Sequence, residues 1–163
     1  MAELIQQEAV RSVYDSIESI ISQVEKLPEE TVYWKPSEDE WSIMQIITHL
    51  AEAIPYWAGE INRIKEQPTE AWGRGLMDET RLQTVSDENI SGLTIDKVLS
   101  DLNKVPSLVE ETIGALTAEE LTITAPSRNP KFDGKPIAFI VDHLIVEHTA
   151  KHFGQIQRNL SKR

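Results

Sequence analysis

The sequence predicts an all-α protein, a four-helix bundle with long crossover connections. Four stretches of the 163-residue chain repeat apolar residues at the three- and four-residue spacing of an amphipathic helix. No run shows the apolar and polar alternation of a convincing strand. Two irregular segments rich in Pro, Gly and polar residues separate the later helices. Helices of this kind bury their apolar stripes against one another, and a bundle is the common result.

The first two predicted helices have clear boundaries. The first carries an apolar stripe and ends at Pro28. Ser42 followed by Gln45 three residues later matches a capping box and predicts the start of the second helix. That helix is predicted to stop before Pro68 and to kink at Pro55, which cannot donate a backbone hydrogen bond.

The second half of the chain alternates irregular segments with helices. Residues 67–93 are predicted to form a packed crossover, because long connections in compact domains usually fold locally or cover a site. A third helix is predicted to begin after Thr94 and to be interrupted at Pro106. After a second irregular segment, 117–135, Pro136 fits the first position of the final helix.

Composition excludes several classes of function. The formal charge is −11, with 27 acidic against 16 basic residues, so the average surface repels nucleic acid and anionic membranes. Cysteine is absent, which excludes disulfides, thiolate ligands and a cysteine nucleophile; any thiol would have to come from outside. With no leader or membrane-spanning segment in the sequence, we expect a soluble cytoplasmic protein, and we expect one domain over residues 1–163.

Two histidines on the final predicted helix suggest a metal site. His148 and His152 are four residues apart, which places both imidazoles on one face, about 6 Å apart along the axis, where they can share one ion. They continue the apolar stripe of Val141 and Leu144, so they should point into the core, where unpaired imidazoles are costly. The alternative is a core-edge pair bonded to carbonyls or carboxylates, and the pair alone leaves both interpretations open.

His49 strengthens the metal interpretation. It lies near the inner face of the second helix, and a third imidazole from a facing helix would complete a site with an open coordination position. A lone histidine at such a position is more often structural. His143 precedes His148 by five residues, which turns it about 140° away on a regular helix. We therefore predict that His143 lies at the surface or supports a ligand.

Three stretches resemble the DinB superfamily, also known as YfiT-like metal-dependent hydrolases. Their order and separation match the family over nearly the whole chain. The stretches are Trp34-Lys35-Pro36 with Glu40-Trp41-Ser42, His49-Leu50-Ala51-Glu52 with Tyr56-Trp57, and His148 to Ile156, which includes His152 and Gln155.

The resemblance implies a four-helix bundle that holds one divalent ion, typically nickel or zinc, with His49, His148 and His152. Many relatives have a further histidine where this chain has Leu144, so the triad is intact and a role for the neighbouring His143 is open. Characterised relatives include transferases and isomerases that use bacillithiol, mycothiol or glutathione. The resemblance also makes a homodimer plausible.

Four residues near the triad are candidate site residues. Tyr56 and Trp57 are candidates for a pocket wall, and Gln155 for a polar contact near His152. Glu52, one turn from His49, is a candidate hydrogen-bond acceptor or general base. The alternatives are ordinary packing for the aromatic residues, a polar cap for Gln155 and a solvated helix face for Glu52.

Two classes of function fit these residues. The first is a metal-dependent enzyme that acts on a small-molecule substrate, either a transferase using an external low-molecular-weight thiol (a bacillithiol-type S-transferase) or a hydrolase. A divalent ion would lower the pKa of a thiol or a water molecule at its open position. The second is a noncatalytic bundle stapled by metal, acting as a binding or stress-associated protein. An open position reached by a pocket would favour the enzyme.

Overall fold

The all-α class is confirmed by the structure, a computed structural model that describes the backbone of residues 2–163 and side chains from Ile5 onward. Within these residues the only β-type pairings are two isolated bridges, Trp72 with Ser127 and Thr124 with Pro136. The helices are α1 (Ala2–Val24), α2 (Glu29–Tyr33), α3 (Ile43–Glu66), α4 (Glu79–Thr84), α5 (Asp87–Ser91), α6 (Ile95–Asn103), α7 (Val105–Gly114), α8 (Ile137–Phe139) and α9 (Glu147–Ser161). A four-helix arrangement stays a prediction, since short helices interrupt the connections.

Helix α3 begins as predicted and carries much of the core. Ser42 Oγ accepts from the Gln45 N–H at 3.1 Å, and Gln45 Oε1 accepts from the Ser42 N–H at 2.8 Å, which completes the capping box. The helix is continuous through Pro55, and the kink expected there stays a prediction. Its apolar face packs on α6, α7 and α9, while α1 packs on α7 and α9. This packing brings the middle of α3 against α9.

The third predicted helix consists of two helices. Thr94 caps α6 as expected, with its hydroxyl accepting from the Lys97 N–H at 3.2 Å. Pro106 lies in the first turn of α7, directly after the break at Lys104. Proline is compatible with a first turn because the N–H it lacks has no partner there. The predicted interruption is therefore confirmed as a helix boundary.

The last helical stretch contains a segment that the sequence did not predict. Residues Ile140–Val146 form a π-helix that joins α8 to α9. Pro136 is the residue before α8, so its prediction as the first helical position was wrong by one residue. Hydrogen bonds in a π-helix span five residues, so each residue adds less rotation than in an α-helix. Side chains five positions apart consequently lie closer to one face.

The two long connections pack against each other, as predicted for the first of them. Trp72 is fully buried, its indole N–H donates to the Ala125 carbonyl at 3.2 Å, and its backbone N–H donates to the Pro126 carbonyl at 3.0 Å. Its carbonyl accepts from the Arg128 N–H at 2.8 Å. Two short 3₁₀ turns, Glu120–Thr122 and Pro130–Phe132, complete the second connection. Among the described helices, none combines the length and apolar character that crossing a bilayer requires.

Candidate metal centre

The three predicted histidines meet between α3 and α9. His49 is 2% exposed, and its ring centroid is 5.1 Å from that of His148 and 4.9 Å from that of His152. His148 and His152 are one turn apart on α9, with centroids 4.7 Å apart. One ligand atom from each imidazole falls within 4.8 Å of the other two, so this group could hold a metal ion. No further His, Asp or Glu of the described residues joins it.

The hydrogen bonds define which ring nitrogens are available. His148 Nδ1 lies 3.1 Å from the Leu144 carbonyl, and His152 Nδ1 lies 2.7 Å from Gln155 Oε1. Both oxygens can only accept, so each Nδ1 carries the hydrogen and each neutral ring presents an Nε2 lone pair. This is the tautomer that a metal-binding histidine adopts when a neighbouring oxygen orients its ring.

The two ring nitrogens of His49 have different surroundings. Its Nε2 lies 3.1 Å from His148 Nε2, so His49 must supply the hydrogen between the two nitrogens. Its Nδ1 is then a buried acceptor for which the described residues provide no hydrogen-bond partner. An ion bound by the three Nε2 atoms would remove the need for that shared hydrogen. The close approach of two Nε2 atoms and the set of three imidazoles therefore fit a divalent metal better than a self-contained polar core.

Burial keeps the imidazoles neutral. It lowers the pKa of His49 to about 2, with smaller contributions from the charges of His152 and His148. Burial and then His152 lower the pKa of His148 to about 4. Burial also lowers the pKa of His152, against an opposing hydrogen bond from Gln155. Metal ligation requires neutral imidazoles, so these shifts favour metal binding near neutral pH.

Two cavities open on the triad. His49 and His148 line one cavity of about 380 Å³, whose apolar wall includes Trp57 and Phe132. His152 lines the other, of about 410 Å³, together with Trp41 and Gln155. The Trp41 ring is stacked on His152 at 6.1 Å and meets His49 edge-on at 5.2 Å. The triad is therefore buried among aromatic rings but reached from two sides.

Basic residues from the first long connection border the triad. Arg74 is 8% exposed and forms two hydrogen bonds with Glu52, at 2.6 and 2.9 Å, while its guanidinium lies 4.0 Å from the Tyr56 ring centroid. Arg81 on α4 lines both cavities, and its charge contributes to lowering the pKa of all three histidines. Positive charge is therefore concentrated beside the histidines.

The other candidate site residues have distinct positions. Trp57 lines the first cavity, whereas Tyr56 is not among its lining residues and donates to Glu60 Oε1 at 2.9 Å. Gln155 contacts His152. Glu52 is paired with Arg74, and among the residues that the structure describes no hydrogen bond links Glu52 to a histidine. That pairing favours a positioning role for the Glu52 carboxylate over a general base.

His143 lies nearer to the site than the regular-helix estimate indicated. It lines the same cavity as His148, with Nδ1 2.7 Å from Glu147 Oε2. The estimate of about 140° assumed 3.6 residues per turn, but His143 lies in the π-helical segment, where five residues bring side chains closer to one face. The predicted surface position holds in part, because the side chain is 49% exposed.

Sequence reasoning missed several residues around the triad. Arg74 and Arg81 lie in the first long connection, and Lys131 and Phe132 in the second. The length of these connections was the available signal, since long ordered loops often cover sites. It could not identify which side chains face the histidines. Trp41 belongs to a stretch that carries the family resemblance, but neither its spacing nor its residue type predicts that its ring packs on His49.

These features define a class, an all-α protein with three converging histidines that could hold a metal ion. The sequence profile of the DinB superfamily matches residues 14–156, so the chain belongs to the DinB superfamily. Among proteins with curated functions, no sequence matches this one.

Proposed function

We propose that the chain is a divalent-metal-dependent enzyme acting on a small molecule, a thiol S-transferase in the first instance and a hydrolase as the near alternative. The observation that carries the proposal is the open triad. One ring nitrogen from each of three histidines converges beside a cavity, and no fourth protein ligand joins them among the described residues. Structural metal sites are closed by protein ligands, whereas catalytic sites keep a position for substrate.

His49, His148 and His152 would hold the ion, with Leu144 and Gln155 orienting the α9 histidines through Nδ1. Nickel and zinc both suit imidazole ligands. When bound, the ion would supply Lewis acidity that favours the ionised form of a thiol or of water. Trp57 and Phe132 would hold the apolar part of a substrate and keep water from it. Cysteine is absent, so a transferred thiol would be a separate small molecule.

The metal content of untagged protein is the first test. Plasma mass spectrometry should find nearly one nickel or zinc per chain, and this metal should be lost in His49→Ala, His148→Ala and His152→Ala. His143→Ala is the matched control, because this histidine lines the cavity outside the triad and should keep the metal. A protein that binds neither metal after incubation would overturn the proposal.

The reaction class requires a second assay. Metal-loaded protein would be incubated with low-molecular-weight thiols and alkyl or aryl electrophiles, and with esters and amides as hydrolase substrates. Thiol conjugation that depends on all three histidines would support the transferase, and ester or amide cleavage without thiol would support the hydrolase. Stoichiometric metal with no turnover would favour the noncatalytic, metal-stapled bundle. A homodimer stays a prediction, to be checked by light scattering.

A further inference from the structure

The first cavity has a charge opposite to that of the chain. Four of its lining side chains are basic and one is acidic, whereas the whole chain has a formal charge of −11. The basic residues come from both long connections and from α9: Arg74, Arg81, Lys131 and Lys151. The surface of this protein is negative on average, so its general composition does not explain why the charged residues of this cavity are mostly basic.

Three of the four cations have no carboxylate partner among the described residues. Arg74 is compensated by Glu52 at 2.6 Å and Asp78 at 3.7 Å. Arg81, Lys131 and Lys151 form no ion pair with the described carboxylates. The acidic member of the lining, Glu147, is engaged by His143 at 2.7 Å. Four cations therefore lie beside three carboxylates, Glu147, Glu52 and Asp78, and the cavity keeps a small net positive charge.

Arg81 is the most constrained of the three cations that lack an ion pair. It is half-buried, its Nη1 donates to the Leu76 carbonyl at 3.0 Å, and its guanidinium lies 5.8 Å from the Trp41 ring centroid. Because Arg81 lines both cavities that open on the triad, a group bound to its remaining donors would lie beside the histidines. The planar donor fork of arginine matches a carboxylate or a phosphate.

Other lining residues are apolar. They include Ala53, Trp57, Phe132 and Leu144, and the Phe132 ring is stacked on the fully buried Trp72 with centroids 5.8 Å apart. Such side chains bind a hydrocarbon or aromatic group, and the volume of about 380 Å³ suits a small organic molecule. The cavity thus combines an apolar wall with a cationic rim.

We propose that the ligand of this cavity is a small amphipathic anion, with its carboxylate or phosphate bound by Arg81, Lys131 and Lys151 and its apolar part against Trp57 and Phe132. This inference rests on the proposed function in taking the cavity as the substrate site, and it adds the substrate class. A divalent ion at the triad would add further positive charge, which strengthens the preference for an anion.

Binding titrations of matched probes test the proposal without an activity assay. Calorimetry would compare phenylacetate and phenyl phosphate with the neutral phenylacetamide, using both metal-free and zinc-loaded protein. Both anions should bind at least about tenfold more tightly than the amide, since charge-assisted hydrogen bonds are stronger than neutral ones. Their affinity should fall as salt rises from about 20 to 200 mM, because salt screens half-exposed charges. The tighter of the two anions identifies the group that the cavity selects.

Variants assign the effect to the named residues. Arg81→Gln should weaken anion binding about tenfold and leave phenylacetamide binding unchanged, while Arg81→Lys should retain part of the affinity. Lys131→Gln should weaken anion binding by a smaller factor. Because Lys131 is exposed, misfolding would not explain that loss of affinity. Lys26→Gln removes the same charge from an exposed turn outside the cavity and should have no effect.

Equal affinity for phenylacetate and phenylacetamide, or unchanged anion binding in Arg81→Gln, would overturn the inference. Metal content is measured separately, so the two proposals can fail independently. Arg81-dependent anion binding in a protein that takes up no metal would support the anion site and overturn the metalloenzyme. Histidine-dependent metal binding without a preference for anions would support the metal site and overturn the anion site.

Discussion

Helix α3 carries two buried polar clusters, one around Glu60 and one around His49, that are completed in opposite ways. Glu60 is 4% exposed, and its carboxylate accepts from the Tyr56 hydroxyl at 2.9 Å and the Gly73 N–H at 2.7 Å. Arg63 and Arg128 add positive charge at 3.4 and 3.5 Å. His49, in contrast, has a buried Nδ1 without a partner among the described residues and an Nε2 facing another imidazole nitrogen.

The difference indicates which cluster is structural. A buried charge whose partners are all protein groups is complete when the chain folds, so Glu60 ties the first long connection to α3. A buried cluster with unused lone pairs can accept a further group, so the three histidines could hold an ion. The clusters should consequently respond differently to substitution, to metal and to acid.

The largest expected effect is loss of stability on removing the Glu60 carboxylate. Glu60→Ala leaves the Tyr56 hydroxyl and the Gly73 N–H without their acceptor and removes the charge opposite two arginines. It should reduce the free energy of unfolding by about 3 kcal/mol. Urea unfolding of metal-free protein measures this. The exposed Glu66 near the end of the same helix provides the control, and Glu66→Ala should change stability by less than about 0.5 kcal/mol.

A measurement of metal uptake shows whether the loss of stability in Glu60→Ala is independent of the three histidines. Glu60→Ala protein that still folds should bind metal as tightly as the natural chain, because Glu60 does not belong to the three-histidine group. A Glu60 variant as stable as the natural chain would show that the two clusters do not differ as described.

Metal addition should stabilise the protein by the next largest amount. At a free metal concentration of about 100 times the Kd, binding to the folded state alone adds about 2.7 kcal/mol. His49→Leu should abolish this gain. In metal-free protein the same variant should lie within about 1 kcal/mol of the natural chain, because an apolar replacement removes the unpartnered nitrogen along with the weak imidazole contact.

Thermal or urea unfolding with and without zinc makes the comparison. A metal-free His49→Leu protein destabilised as strongly as Glu60→Ala would contradict the distinction, since it would make the triad a self-sufficient structural cluster. Persistent zinc stabilisation in His49→Leu would place the metal elsewhere.

Acid should weaken the metal-free protein through the histidines. The pKa of His148 is about 4 in the folded protein, below its ordinary value of 6.5. Between these values the unfolded chain binds the proton and the folded chain does not, so stability is greatest above pH 6.5 and falls toward pH 4. His148 should account for a change on the order of 2 kcal/mol across this range.

Urea unfolding between about pH 7.5 and 4.5 measures the effect, with His148→Leu to isolate it from the carboxylates. The natural protein should lose more stability than the variant as the pH falls. Parallel curves would show that His148 titrates normally in the folded state and does not belong to a desolvated cluster.

Local patterns predicted most of the fold. The Ser42 capping box, the Thr94 cap and the break at Pro106 are each set by residues within a few positions of one another, and each is confirmed. The π-helical segment Ile140–Val146 has no comparable signal, because its residues also suit an α-helix. Short helices in the connections escaped prediction for a related reason, since five or six residues are too few to show periodicity.

The residues of the site also divide into those that local spacing predicts and those that it does not. His148 and His152 share a helix face, so their spacing alone predicted that they meet, and His49 was added from its helix position. The Arg74 pair with Glu52 spans 22 residues and depends on how the first long connection folds over α3. No periodicity connects such residues. The cationic rim of the cavity therefore became apparent only in three dimensions.

The smallest predicted effect concerns the orientation of His152. Gln155→Leu removes the acceptor that holds His152 Nδ1–H at 2.7 Å, and it should weaken metal affinity about tenfold while changing metal-free stability by less than about 1 kcal/mol. Competition with a chelator of known affinity provides the measurement. Gln157→Leu on the same helix removes only an exposed contact with Gln23 and should leave metal affinity unchanged. Equal affinities for both variants would mean that Gln155 does not orient His152, and that helix packing or the bound ion sets the direction of this ring.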